Sequence, residues 1–564
     1  MILAATHRTF LLLFVACSIA AHPAHRSMLY AESPISEYFD IGQFERPVQT
    51  KSPDAQIWFN RGLAMCYAFN HEEGTRCFEK AFAADPTCSL ALWGLAYSLG
   101  PNFNNMEIGV EQLSRAQMAI RLAQLSAGNG DSVEFGLINA LATRHAALAD
   151  GKRNAHREYA DAMREVYQEH ADDPDVCTLF AESLITLQPW KHWSNSGVPA
   201  SETEEIVRVL ESALERSPEH PGLCHFYVHV REMSPTPGMA SPAANVLRET
   251  MPDAGHLVHM PSHIDIQLGE YEQVILANQK AIEADNKFVK AQGRDNFYTY
   301  YRIHNYHFAV YGAMFDGQSE LASEMARAIP DQIPQDMLRT QTDFLDAFMP
   351  TTLHVMIRFG RWDDILGEEQ PEEWLPVSRS IWHYARGLAY AAKGMVSEAE
   401  LEQRAFIASR NRVPETSVLF NNTSREILGV AESMLAGEIA YRRGEHDEAF
   451  AKLRESVERA DSLNYDEPWG WMQPPRHALG ALLLEQNLLE EAEAVYCADL
   501  ERHPRNLWSL QGLTEILRKQ GNAKELRQTE AQLESASRRA DFVVDRSCFC
   551  RLSTDESCCA PSER

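Results

Sequence analysis

Seven histidines with helical spacing are the residues of this sequence most able to do chemistry. One H-x-x-x-H pair is His225 and His229, and a second is His259 and His263. Spacings of three and four residues put side chains on one face of a helix. Neutral imidazoles are good ligands for Zn, Cu or Fe, so the pattern predicts a transition-metal site. The full set of predicted ligands is His225, His229, His256, His259, His263, His304 and His307.

Two carboxylates accompany these histidines. Glu232 follows His229 by three residues, and Asp265 follows His263 by two. Either could ligate the metal or accept a hydrogen bond that fixes the tautomer of a ligand ring. No glutamate occupies the H-E-x-x-H position that gives zinc proteases their general base, so whether the protein is an enzyme stays open. A metal-dependent hydrolase or oxidase, with Glu232 as the acid or base, is an alternative hypothesis.

A repeated pattern of small and aromatic residues predicts the elements that position the histidines. Small residues let two antiparallel helices approach closely, glycine permits the turn between them, and proline ends the second helix. One pair cannot bury its apolar face alone, so successive pairs stack. The repeated positions are Trp58, Gly62, Gly74, Phe78, Ala81 and Pro86 in the first unit, and Gly387, Tyr390, Gly394, Ala399, Gly437, Gly444, Ala449, Gly480, Ala492 and Pro504 in later ones.

This pattern resembles the tetratricopeptide repeat (TPR) family over most of residues 50–540. The resemblance implies an all-α, superhelical solenoid of antiparallel helix pairs with a period of ~34 residues. In that family, the first helix of each pair faces a concave groove that contacts ligand. The combination of HFYVH with GHLVHMPSH also resembles a subgroup of secreted or periplasmic TPR proteins. That resemblance indicates that the histidines act together but names no reaction.

The histidines are in register with the repeat. The first H-x-x-x-H pair precedes the second by 34 residues, and the next first helix supplies His304 and His307. Pro261 lies inside the helix of the second pair and is expected to bend its axis. Under the TPR resemblance, all seven histidines form one patch across three adjacent helices of the groove. The alternative is a protein–protein interaction scaffold that holds a partner protein or peptide in the same groove.

Several stretches depart from the repeat and are predicted to be insertions on one face of the solenoid. They are residues 99–109, 187–199 and 287–302. The second contains PWKHW (189–193), which is expected either to wall the groove or to cover apolar surface at an edge. The turn FNHEE (69–73) is polar, as repeat turns usually are.

The flanking sequences predict the domain organisation. The apolar run 10–20 is typical of a secretory signal and too short to span a membrane, so we expect an extracellular or periplasmic protein. The expected segments are a signal peptide at 1–21, an N-terminal extension at 22–54, N-terminal TPR units at 55–220, histidine-rich units at 221–336, irregular connecting helices at 337–379, C-terminal TPR units at 380–540 and a cysteine-rich tail at 541–564.

Charge and cysteine usage bound the partners and the compartment. A net charge of −28 on 564 residues argues against nucleic acid or an anionic membrane as a partner. Six cysteines in predicted helical segments are interpreted as small buried apolar residues. They are Cys66, Cys77, Cys88, Cys177, Cys224 and Cys497. In a secreted chain the tail cysteines favour disulfides in one of three pairings, with a small metal knuckle as the alternative. These are Cys548, Cys550, Cys558 and Cys559.

Overall fold

The structure, a computed structural model, describes residues 38–127 and 132–552. The predicted signal peptide, together with Cys558 and Cys559, lies outside the described residues. The chain divides into two units, Met1–Pro261 and Ser262–Arg564. This boundary falls inside the stretch 221–336 that the sequence grouped as histidine-rich units, so four of the seven histidines belong to unit 1 and three to unit 2.

Unit 1 is built from α-helices that pack against their neighbours along the chain. The helices are α1 Pro53–Tyr67, α2 His71–Ala84, α3 Ser89–Leu99, α4 Val110–Ser126, α5 Val133–Ala149, α6 Ala155–Glu169, α7 Pro174–Ile185, α8 Thr203–Arg216, α9 Pro221–Arg231, α10 Ser241–Thr250 and α11 Gly255–His259. A 3₁₀ turn, Pro237–Ala240, precedes α10. The core of this unit contains large, fully buried side chains such as Trp93, Tyr67 and Phe180.

Unit 2 continues the same architecture. Its helices are α12 Pro261–Leu268, α13 Tyr271–Gln292, α14 Thr299–Asp316, α15 Ser319–Gln332, α16 Gln335–Thr340, α17 Thr342–Leu345, α18 Thr351–Arg358, α19 Trp362–Gly367, α20 Pro376–Ala392, α21 Val396–Arg410, α22 Ser424–Arg442, α23 His446–Ser462, α24 Pro475–Glu485, α25 Leu489–Arg502, α26 Leu507–Gln520 and α27 Ala523–Ala536. Two 3₁₀ turns are Asp346–Phe348 and Ser537–Arg539. The two-residue strands β1 Val418–Leu419 and β2 Asn422–Thr423 pair antiparallel, with Val418 opposite Thr423.

Glycines and an aromatic ring set the close packing of consecutive helices in both units. In unit 1, a Cβ added at Gly62 of α1 would lie 2.7 Å from Phe78 Cε1 of α2, and one at Gly94 of α3 would meet the same ring. In unit 2, Gly480 of α24 and Gly512 of α26 flank the ring of Tyr496 in the same way. Only a residue without a side chain allows helices to approach a ring this closely. The predicted all-α fold of TPR-like helix pairs is confirmed.

Polar caps and prolines decide where the helices near the histidines begin and end. Asp173 caps α7 by accepting hydrogen bonds from two backbone N–H groups of its first turn. The stretch 255–268 was expected to be one helix that Pro261 bends. It is divided into two helices, α11 and α12, at Met260, which itself keeps helical dihedral angles. Pro261 has no N–H to continue the hydrogen bonding of α11, so the division falls where the sequence placed the irregularity.

Candidate metal centre

The first grouping of histidines lies in unit 1, where α9 and α11 bring three imidazoles together. One ligand nitrogen from each of His225, His229 and His256 lies within 4.8 Å of the other two. All three residues are buried, with at most 2% of their surface exposed. This separation is short enough for one metal ion to contact all three nitrogens. We call these residues the unit 1 triad.

Hydrogen bonds at Nδ1 orient two rings of the unit 1 triad. His225 Nδ1 lies 2.6 Å from the backbone oxygen of Tyr67, and His229 Nδ1 lies 3.0 Å from Glu232 Oε1. A backbone carbonyl and a carboxylate both accept, so each Nδ1 carries the proton and each Nε2 keeps its lone pair. A histidine ligand usually donates its other ring N–H to such an acceptor. The two rings are therefore already in the tautomer that ligates through Nε2.

The spacing of two triad nitrogens fits metal coordination. His225 Nε2 and His256 Nε2 are 3.1 Å apart. Two zinc–nitrogen bonds of ~2.0–2.1 Å at a tetrahedral angle separate their nitrogens by about 3.3 Å. An ion could replace the hydrogen bond of this pair with a shift of only a few tenths of an ångström. Three protein ligands would leave a fourth position of a tetrahedral site for water or a substrate.

Aromatic side chains at strained backbone positions surround the unit 1 triad. The ring of Phe69 has its centroid 4.4 Å from that of His225 and 5.1 Å from that of His256, and Trp190 lies 5.5 Å from His229. Phe69 and Trp190 have φ angles of 56° and 61°. Such left-handed conformations cost of order 1–3 kcal/mol each and concentrate at functional sites. Tertiary packing holds both rings against the histidines despite this strain.

The predicted insertions supply part of this aromatic wall. Phe103, from the insertion 99–109, lies 5.3 Å from His229 between ring centroids, and the insertion 187–199 supplies Trp190. His192 in the same insertion is buried beside Phe103, at 6.2 Å. Two alternatives were given for PWKHW, and these contacts agree with the first, a wall beside the histidines. Phe69 was not predicted from the sequence as a site residue, because an aromatic residue at a repeat turn has no spacing that distinguishes it from other turn residues.

The second grouping lies in unit 2 and is built from α12, α14 and the loop before α24. His263 Nδ1 is 3.0 Å from Glu467 Oε2, and the ring centroids of His263 and His304 are 5.8 Å apart. Phe420, with a φ of 48°, lies 5.3 Å from His304 between centroids. Glu467 was not predicted, because it lies far from the histidines in the chain. Both units thus place a phenylalanine with positive φ beside their histidines.

The other predicted site residues lie around these groupings. His259 is fully buried in unit 1, with its ring stacked on that of His256 at 5.9 Å. In unit 2, burial and then the charge of His354 lower the pKa of His307 to about 3, which keeps this imidazole neutral. Asp265 is buried on α12, with 6% of its surface exposed. The single patch of seven histidines stays a prediction, and the groupings described above are those seen within each unit by itself.

The cysteines follow the expectation in part. Cys548 and Cys550 form a disulfide in the tail. Five of the six other cysteines are buried, but Cys497 is exposed on α25, so its assignment to the core is wrong. The repeat period placed Cys497 on a helix without showing which face of that helix packs inward.

The fold and the site together define a class of protein, an all-α TPR-like protein with buried histidine groupings. Among the described residues, no helix is both long and apolar enough to cross a membrane. No family model matches the chain, and no curated protein matches it.

Solved structures give a weak likeness. The human IFIT1 dimer with m7Gppp-AAAA is 12% identical, with a TM-score of 0.32, and the match covers 87% of this chain and 92% of that chain. The IFIT1 monomeric mutant with Gppp-AAAA is also 12% identical at a TM-score of 0.32, covering 86% and 91%.

Proposed function

We propose that this protein binds a transition metal ion, Zn, Cu or Fe, through the unit 1 triad. The single observation that carries the proposal is the convergence of three buried imidazole nitrogens within 4.8 Å of one another. Neutral imidazole is a preferred ligand of these metals, and three such ligands are a common number for a site with an open position.

The chain's own residues would prepare the site in three ways. The carbonyl of Tyr67 and the carboxylate of Glu232 hold two rings in the ligating tautomer. The rings of Phe69 and Trp190 pack against the histidines and cover part of their surface. A metal bound there would supply Lewis acidity to a group at its open position.

The remaining predicted ligands extend the same proposal to unit 2. His263 and His304 lie beside each other, and Glu467 orients His263 as Glu232 orients His229. His259 and His307 stay predicted ligands of this protein. The apolar run 10–20 supports export, so we place metal binding in an extracellular or periplasmic compartment.

Metal analysis of the full chain, purified without an affinity tag, tests the proposal. We expect a stoichiometric transition metal in the purified protein or after incubation with Zn²⁺, Cu²⁺ or Fe²⁺ at micromolar concentration. The double variant His225→Ala, His256→Ala is expected to lose the metal that unit 1 binds. A native protein that neither carries nor takes up metal would refute the proposal.

A matched variant separates loss of ligands from loss of histidine in general. His446 lies at the start of α23, where its ring stacks on Tyr441 at 4.8 Å. His446→Ala should leave the metal content unchanged. A partner peptide that co-purifies with a metal-free chain and persists in chelator would instead favour the scaffold alternative.

A further inference from the structure

One buried carboxylate of unit 1 connects segments on which the unit 1 triad depends. Asp175, in the first turn of α7, is 4% exposed. Its Oδ1 accepts a hydrogen bond of 2.6 Å from the hydroxyl of Tyr67 and lies 3.1 Å from Nε2 of His220. Its Oδ2 accepts a hydrogen bond of 2.8 Å from Arg46. Side chains from three other segments of the chain therefore meet at Asp175.

The contact with Tyr67 leads directly to the triad. Tyr67 is the last residue of α1, and its backbone carbonyl is the acceptor for Nδ1 of His225. Carbonyls in the last turn of an α-helix lack a partner within the helix, so their direction depends on what holds the helix end. The hydroxyl of Tyr67 is bound to Asp175, and the residue is fully buried. Asp175 thus holds the residue whose carbonyl orients the His225 ring.

The contact with His220 leads to the triad from the other side. His220 caps the N-terminus of α9, the helix that carries two of the triad histidines. Its Nδ1 accepts a hydrogen bond of 3.2 Å from the backbone N–H of Leu223, so its Nε2 carries a proton and donates to Asp175. The start of α9 also packs on Tyr67, since a Cβ at Gly222 would lie 3.1 Å from that ring. Asp175 therefore fixes where α9 begins.

The contact with Arg46 comes from the predicted N-terminal extension. Arg46 is buried, and its Nη1 lies 2.9 Å from Asp173 Oδ1 as well as 2.8 Å from Asp175 Oδ2. Burial by itself raises the pKa of Asp175, but the contacts with His220 and Arg46 outweigh it and hold this pKa well below its usual range. Asp175 is therefore an ionised acceptor, and hydrogen bonds to an ionised acceptor are shorter and stronger than neutral ones.

We propose that Asp175 is a positioning residue of the unit 1 triad, which holds His225 in its ligating orientation through Tyr67 and through the start of α9. The inference rests on the proposed function, because a fixed His225 ring serves the binding of a metal ion there. Asp175 acts through other residues and is not itself a ligand. Through Arg46, the N-terminal extension takes part in the site although it lies outside the repeats.

Tyr67→Phe tests the first contact, because it removes the hydroxyl bound to Asp175 and keeps both the ring and the carbonyl. Tyr97→Phe is the matched control. The hydroxyl of Tyr97 donates a hydrogen bond of 2.8 Å to Glu182 in the same unit, and both residues are 2% exposed. Each variant loses one buried hydrogen bond between a tyrosine and a carboxylate, so the two should lose similar stability. A merely structural role for Asp175 predicts that both variants also bind metal alike.

Two measurements on the full chain are compared. In chelator, the proton on Nδ1 of His225 should give a downfield NMR resonance, which is assigned by its loss in His225→Ala. Tyr67→Phe should shift or broaden this resonance, and Tyr97→Phe should leave it unchanged. In competition with a chelator of known affinity, Tyr67→Phe should bind Zn²⁺ about three- to tenfold more weakly than the native chain, below the ~10–100-fold effect of changing a direct partner of a ligand histidine. His220→Asn keeps a good N-cap residue on α9 but removes the ring nitrogen that contacts Asp175, so it should weaken zinc binding in the same way.

The two measurements separate this inference from the proposed function. A native chain that binds Zn²⁺, with the same affinity and the same His225 resonance in Tyr67→Phe or in His220→Asn, would overturn the positioning role and leave the proposed function intact. Equal weakening of zinc binding in Tyr67→Phe and Tyr97→Phe would also overturn it, because affinity would then follow stability alone. A native chain that takes up no Zn²⁺, while Tyr67→Phe still shifts the resonance, would refute the proposed function and support Asp175 as the residue that fixes His225.

Discussion

Replacing Glu232 by glutamine tests the metal proposal at a residue that is not itself a triad ligand. Glu232 Oε1 accepts the hydrogen bond of His229 Nδ1 at 3.0 Å, and both side chains are at most 1% exposed. Glutamine has nearly the same shape and still offers an oxygen acceptor. The change therefore removes the negative charge while keeping the orientation of the ring.

The expected magnitude follows from the kind of hydrogen bond that is lost. A buried hydrogen bond to a charged group contributes about 1.5–3 kcal/mol, and a neutral one about 0.5–1.5 kcal/mol. The difference, about 1–1.5 kcal/mol, corresponds to roughly tenfold in the dissociation constant. That lies at the lower end of the 10–100-fold range found when the partner of a ligand histidine is changed.

Competition with a chelator of known affinity measures the effect directly. Native chain and Glu232→Gln are titrated with Zn²⁺ at one pH and one salt concentration, and thermal unfolding of each metal-free protein checks the fold. Glu211→Gln is the control, since Glu211 in the same unit pairs with Arg231 and Tyr227 rather than with a histidine. Equal zinc affinity of native chain and Glu232→Gln would refute the role given to this carboxylate.

Three further predictions concern strain, protonation and packing. Phe69→Gly should be more stable to urea than Phe69→Ala by about 1 kcal/mol, because glycine adopts a φ of 56° without strain. Equal stability of the two variants would show that the backbone at this position is not strained. Burial lowers the pKa of His192 to about 4, so the unfolded chain takes up its proton first as the pH falls below 6.5. Stability is therefore lost as the pH falls, about 2 kcal/mol from this residue between pH 7 and pH 5, and His192→Leu should reduce the measured loss by that amount. Gly480→Ala, whose Cβ would lie 2.6 Å from Tyr496 Cζ, should lose about 1–3 kcal/mol in urea unfolding, whereas Gly367→Ala meets open space and should be nearly neutral.

The sequence by itself determined the helix pairs and the local faces of the histidine helices. Gly62 and Phe78 lie 16 residues apart, as do Gly480 and Tyr496, and each pair packs as the repeat pattern predicts. The spacing of His225, His229 and Glu232 placed them on one helix face. These features depend on periods of three to four residues and of one repeat, which are local and therefore visible in a sequence.

Only the tertiary structure decided which atoms meet. The carbonyl that orients His225 belongs to Tyr67, 158 residues earlier, and Glu467 reaches His263 from a loop far along the chain. Phe69 and Trp190 contact the histidines from turns with positive φ. No periodicity marks such residues, because their positions depend on how distant helices pack and on strain that this packing maintains. For the same reason, the repeat predicted histidines in register, whereas the packing of each unit determined which imidazoles converge.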